Sequence, residues 1–148
     1  MRRVVAAAVA LAAVVALAGC SPTAPIPTPS PSQIVGTWHH GSDVVTFDAD
    51  GTFTISGMPV GVIEQAPVPD GGSPKGPLES ISGTWHVGTG GTDAGGAPGV
   101  QLDFQKPAKV EFYYGLTLIV SADLPNPNLY VFLGRSDSNI RYTFTRQS

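Results

Sequence analysis

The chain reads as an all-β domain of eight or nine strands, preceded by an N-terminal signal helix and a proline-rich tether. Three observations predict this. Apolar and polar residues alternate in short runs, with Val45, Phe47, Phe53 and Ile55 set against Thr46, Asp48, Thr52 and Thr54, the period of a half-buried strand. Gly, Pro, Asn and Asp separate the runs, as tight turns require. Beyond the N-terminus no segment has the apolar 3.6-residue period of a helix.

The first element is the signal. Arg2 and Arg3 give a positive start, Val4 to Ala18 form an apolar stretch of about fifteen residues, and small residues follow, the layout of an export signal. A permanent span needs about 20 apolar residues, so this stretch is short for one. The segment Leu17-Ala18-Gly19-Cys20 resembles the lipobox of bacterial lipoproteins. That resemblance implies a diacylglyceryl group on the Cys20 thiol, cleavage before Cys20 by signal peptidase II, and attachment on the extracytoplasmic side of the cell membrane. Removal of 19 of the 148 residues would leave 129. Cys20 is the only cysteine, so the chain has no internal disulfide, although an exported compartment permits one. Each buried acyl methylene contributes about 0.8 kcal/mol, and two chains suffice for stable attachment without a basic patch.

Residues 20–32 form the second element, the acylated cysteine and a tether of Ser, Pro and Thr. Its prolines oppose helix and its hydroxyls keep it solvated. In polyproline II form, twelve residues at about 3.1 Å each reach about 35 Å from the membrane.

The third element, residues 33–148, has the size of one domain. Gly36 to His40 opens it. The runs around Val45 and Phe53 flank Ala49-Asp50-Gly51, and the Asp-Gly pair marks a hairpin. Further strands are predicted near Ile81 to Val87, Val100 to Phe104, Val110 to Tyr114, Leu116 to Ser121, Leu129 to Leu133 and Arg141 to Thr145. Gly36-Thr37-Trp38-His39 recurs as Gly83-Thr84-Trp85-His86, a strand opening in which Gly allows close backbone approach and Trp fills the core. The inward set is expected to include Trp38, Val45, Phe47, Phe53, Ile55, Trp85, Val87, Leu102, Phe104, Phe112, Tyr114, Leu118, Phe132, Tyr142 and Phe144.

Ile34-Val35-Gly36-Thr37-Trp38 followed by Val45-Thr46-Phe47-Asp48-Ala49-Asp50-Gly51-Thr52-Phe53 resembles the opening of lipocalin-like domains. The resemblance implies an up-and-down antiparallel β-barrel or meander. More narrowly, the chain is similar to small actinobacterial lipoproteins of uncharacterised function. It shares with them the second Gly-Thr-Trp, Leu102-Asp103-Phe104, and a closing Phe132-Leu133-Gly134-Arg135-Ser136-Asp137-Ser138 with Arg141-Tyr142-Thr143-Phe144-Thr145-Arg146. The long Gly57 to Ser80 connection departs from the lipocalin pattern.

An eight-stranded barrel either fills its interior with side chains or holds one small ligand. For a ligand, Trp38, Trp85, Tyr114, Tyr130 and Tyr142 are the candidate lining, with the tyrosine hydroxyls orienting an apolar molecule. Within the long connection, Met58, Val60, Val62 and Ile63 either cover a barrel mouth or meet a partner. Arg135, Asp137, Arg141 and Arg146 form a candidate polar cluster on the surface, equally explained by salt bridges that close the last hairpin.

Chemistry-bearing patterns are weak. His39, His40 and His86 supply three imidazoles, but strand neighbours face opposite ways, so His39 and His40 do not share one ion without a bulge. Asp48-Ala49-Asp50-Gly51 lacks the later acidic ligands of a calcium loop and reads as a turn. Asp103 and Glu111 fall on the solvent face by alternation. No Gly-x-Ser-x-Gly elbow occurs, no catalytic residue or metal ligand is assigned, and no motif implies a cofactor. Loss of Arg2 and Arg3 with the signal leaves six Lys and Arg against eleven Asp and Glu, a net charge of −5, which argues against a nucleic-acid partner. The expected function is a membrane-anchored lipoprotein that binds a small apolar ligand. The alternative is an envelope protein-interaction or structural module with a filled barrel.

Overall fold

In the computed structural model, the residues described are 26–69, 72–90, 96–105, 114–121, 126–135 and 139–147. Eight strands are formed: β1 (Gly36–His40), β2 (Asp43–Phe47), β3 (Thr52–Pro59), β4 (Leu78–Thr89), β5 (Pro98–Phe104), β6 (Gly115–Val120), β7 (Leu129–Phe132) and β8 (Arg141–Arg146). Each pairs antiparallel with its neighbour in sequence, and β8 returns to β1, so the sheet is a closed barrel. Closure gives every described strand a neighbour on both sides, which limits the edge open to intermolecular pairing. The closing seam is short, with Trp38 opposite Arg146 and His39 opposite Thr145.

The Asp-Gly hairpin forms as expected. Asp48 N–H donates to Thr52 O (2.9 Å), and Asp50 Oδ1 accepts from both the backbone N–H (2.9 Å) and hydroxyl (2.6 Å) of Thr52. These two bonds hold the Asp50 carboxyl below its ordinary pKa. Gly51 takes φ +86°, a conformation that costs other residues energy. At Gly83 the constraint is space, because a Cβ there would lie 2.0 Å from Asp103 O. Its lack of a side chain lets β4 and β5 pair closely.

Strand alternation fills the interior. Trp38, Val45, Phe47, Phe53, Ile55, Leu102, Leu118 and Phe144 are each at most 2 % exposed. The repeated Gly-Thr-Trp openings do equivalent work: Trp38 Nε1–H donates to Ile34 O (2.8 Å) and Trp85 Nε1–H to Asp48 O (3.0 Å). Each indole thus buries its ring while satisfying its one donor.

Several expectations are corrected. Tyr114 is 65 % exposed and lies just before β6 rather than within a strand; Phe132 and Tyr130 face outward, because buried Leu129 and Val131 take the inward positions of β7. Residues 110–113, including Phe112 and Glu111, lie outside the described set, so the remainder of the ninth expected strand does too. Among the described residues two one-turn helices are present, α1 (Pro31–Ile34) and α2 (Val60–Ile63). Pro31 starts α1 rather than preventing it, because the first helical position needs no N–H donor. Gln33 reinforces this start, its Oε1 accepting from Ser30 N–H at 2.8 Å. Since Pro29 is also buried, packing begins within the segment read as a free tether.

Candidate functional site

The two ends of the barrel have different chemistry. The α1 end gathers the β2–β3 turn, the end of β8 and the last residues of the tether. Buried Ile34 joins the core, and Arg146 donates to Val35 O and to Gln33 O (3.4 Å), with its guanidinium 5.9 Å from the Trp38 ring.

At the opposite end α2 acts as a strap. Val62 and Ile63 are 0 % and 1 % exposed, and Met58 beside them is fully buried. Burial of such side chains contributes about 1.5 to 3 kcal/mol each. The strap is tied on two sides: Val60 N–H donates to Pro77 O (3.0 Å) and Gly61 N–H to Lys75 O (2.9 Å), while Gly134 N–H donates to Gln65 O (2.8 Å). Gly134 follows β7, which stands opposite β3 in an eight-stranded ring, so the segment crosses the mouth. Of the two roles considered for Met58 to Ile63, it covers the barrel.

Beneath this end lies a buried polar pair. Asp43 shares the inward face of β2 with Val45 and Phe47 and is 6 % exposed. The Tyr142 hydroxyl donates to its Oδ2, and Ser42 Oγ donates to Oδ1 (3.3 Å). The pair joins β8 to β2 across β1. Burial, followed by the hydrogen bond to Asp43 and its charge, raises the Tyr142 pKa far above that of a free phenol. The His40 ring stacks on Tyr142 with centroids 3.7 Å apart, and its Nδ1 is 2.8 Å from Thr143 O. Glu79, 8 % exposed, is a second buried carboxylate at this end, opposite Met58 across the β3–β4 pair. Asp43 and Glu79 were missed by sequence reasoning; their parity with Val45 and Ile81 was the available signal.

The described members of the predicted site do not all converge. Trp38 and Trp85 are core residues tied to backbone carbonyls, and the Tyr142 hydroxyl is taken by Asp43. Tyr130 lies outside, paired edge to face with Phe132 at 5.4 Å, while Arg141 stands 4.5 Å over the Tyr130 ring. Arg141 and Arg146 occupy opposite ends of β8, about 17 Å apart at strand rise, so they do not form one cluster. Arg135 follows β7 and is exposed. Asp137, the lipobox residues Leu17, Ala18 and Gly19, and Cys20 lie outside the described residues.

His40 faces inward, whereas His86 lies on the outer face, 3.7 Å from exposed Asp103. His39 Nε2 is buried without a hydrogen-bond partner among the described residues. Among the described residues no group of three His, Cys, Asp or Glu is placed to hold a metal ion, and no helix is long and apolar enough to cross a membrane. Two recesses open at the α1 end. One, of about 570 Å³, is lined by Pro29, Pro31, Ala49, Trp85 and Val87 among others; the other, of about 620 Å³, lies beside Gln33 and Arg146. No protein-family model, curated protein or solved structure matches the chain.

Proposed function

We propose that the protein is a lipid-anchored extracytoplasmic lipoprotein with a lipocalin-like barrel, acting through its outer surface as an envelope interaction or structural module. The observation that carries this reading is the filled interior. Trp38, Phe47, Phe53, Leu118 and Phe144 occupy the space that a small apolar ligand would need, while α1 and the α2 strap cover the two ends. The lipobox resemblance of Leu17 to Cys20 supports the anchor. The tether enters at the α1 end, which therefore faces the membrane and directs the strap outward. With packing beginning at Pro29, the segment from Ser21 to Thr28 spans about 25 Å when extended.

The anchor is tested by fractionation and intact mass of the protein from an exporting bacterial host. The wild-type chain is expected in the membrane fraction, shortened by 19 residues and carrying a diacylglyceryl group. Cys20→Ser is expected to lose that mass and leave the membrane after export. A wild-type chain cleaved elsewhere without lipid would overturn this part of the reading.

A further inference from the structure

The recess beside α1 is unlike the rest of this acidic protein. Its lining includes Gln33, Asn126, Pro127, Asn128, Arg146 and Gln147, with no Asp or Glu among its described residues. Four residues with side-chain amides and one arginine therefore line a single space of about 620 Å³. We propose that this recess binds a saccharide bearing an anionic group, an inference that rests on the barrel working through its surface.

The amides match hydroxyl groups. An amide carries donors and acceptors on one planar group, and a sugar hydroxyl both donates and accepts, so several amides meet a polyhydroxyl ring without leaving either partner unpaired. Buried Pro127 provides an apolar floor. Arg146 adds the charge preference. Its Nη atoms donate to Gln33 O and Val35 O, and these bonds use two of the five N–H groups that a guanidinium carries. The group is held by α1 before a ligand arrives, so less side-chain entropy is lost on binding. The remaining donors suit a carboxylate or phosphate oxygen. Both a wall polysaccharide and a lipid headgroup present this chemistry near the membrane-facing end.

The test is calorimetric titration of the full-length chain in a zwitterionic detergent with trigalacturonate, with neutral maltotriose and with glycerophosphoinositol, the water-soluble headgroup of phosphatidylinositol. Trigalacturonate is expected to bind at least about tenfold more tightly than maltotriose, a difference of about 1.4 kcal/mol. The double variant Asn126→Ala with Asn128→Ala is expected to weaken binding about tenfold with an unchanged melting temperature. Arg146→Gln, checked for folding, is expected to erase the acidic preference. Binding to glycerophosphoinositol and not to trigalacturonate, lost in the same variants, would support the chemistry and identify a membrane source. Absence of binding to every probe, equal affinity for maltotriose, or variants that bind like wild type would overturn the proposal. Those failures leave the filled barrel standing, whereas a ligand held on the barrel axis would overturn that reading instead.

Discussion

Trp38→Ala is expected to destabilise the domain by about 4 kcal/mol, within the range of roughly 3 to 5 for removing a buried tryptophan. Trp38 is fully buried, its N–H satisfies Ile34 O at the end of α1, and the Arg146 guanidinium lies near its ring. Truncation opens a cavity and leaves that carbonyl without its indole donor. Trp38→Phe keeps much of the ring volume and is expected to lose only part as much. Urea denaturation followed by far-ultraviolet circular dichroism measures both. A cost below about 1 kcal/mol for the alanine variant would mean that the indole is not a principal core element.

Tyr142→Phe is expected to cost about 2 kcal/mol near neutral pH, because it strands part of a buried carboxylate. Asp43 would keep only the Ser42 hydroxyl at 3.3 Å of its two side-chain donors. The pH dependence identifies the cause. Folding raises the Tyr142 pKa, so the folded chain holds a proton that the unfolded chain releases above about pH 10. The associated stability is fully present below that pH and declines as pH rises toward the folded value. The slope from this group is up to about 1.4 kcal/mol per pH unit. Tyr142→Phe removes this slope, so the two stability curves should converge above pH 10. Parallel curves, or phenolate absorbance from every tyrosine in the folded protein at ordinary phenol pH, would contradict the assignment.

The legible parts of the fold were those with local causes. The β2–β3 hairpin follows from alternation around Asp50-Gly51, and both Gly-Thr-Trp segments prove to start or lie within strands with inward indoles. In β7, by contrast, Leu129, Tyr130, Val131 and Phe132 are all apolar, so composition does not distinguish the buried face from the outer one. Tyr114 fell on the same difficulty, since aromatic character alone does not specify burial. Of the short helices, α1 had its signal in Ser30, Pro31 and Gln33, a capping residue, a proline at the first position and a glutamine reaching back, whereas α2 consists of Val60, Gly61, Val62 and Ile63, residues of modest or poor helix propensity. Burial of its Val62 and Ile63 in the core supplies what propensity does not.

The polar elements were harder because their partners are distant. Alternation could have placed Asp43 inward, but its bond to Tyr142 joins residues 99 positions apart. Arg146 separates from the rest of the candidate polar cluster for the converse reason. Arg141 and Arg146 are close in sequence, yet an extended strand carries them to opposite ends, one over Tyr130 and the other onto α1.

The most direct measurement of the central claim is native mass spectrometry of the full-length chain, purified from an exporting host and released gently from detergent, compared with its denatured mass. The filled barrel predicts one mass under both conditions, apart from the covalent lipid, and no added apolar molecule. A discrete apolar adduct that denaturation removes and that Trp38→Phe or Phe144→Leu weakens would place a ligand where the side chains are packed and contradict the account.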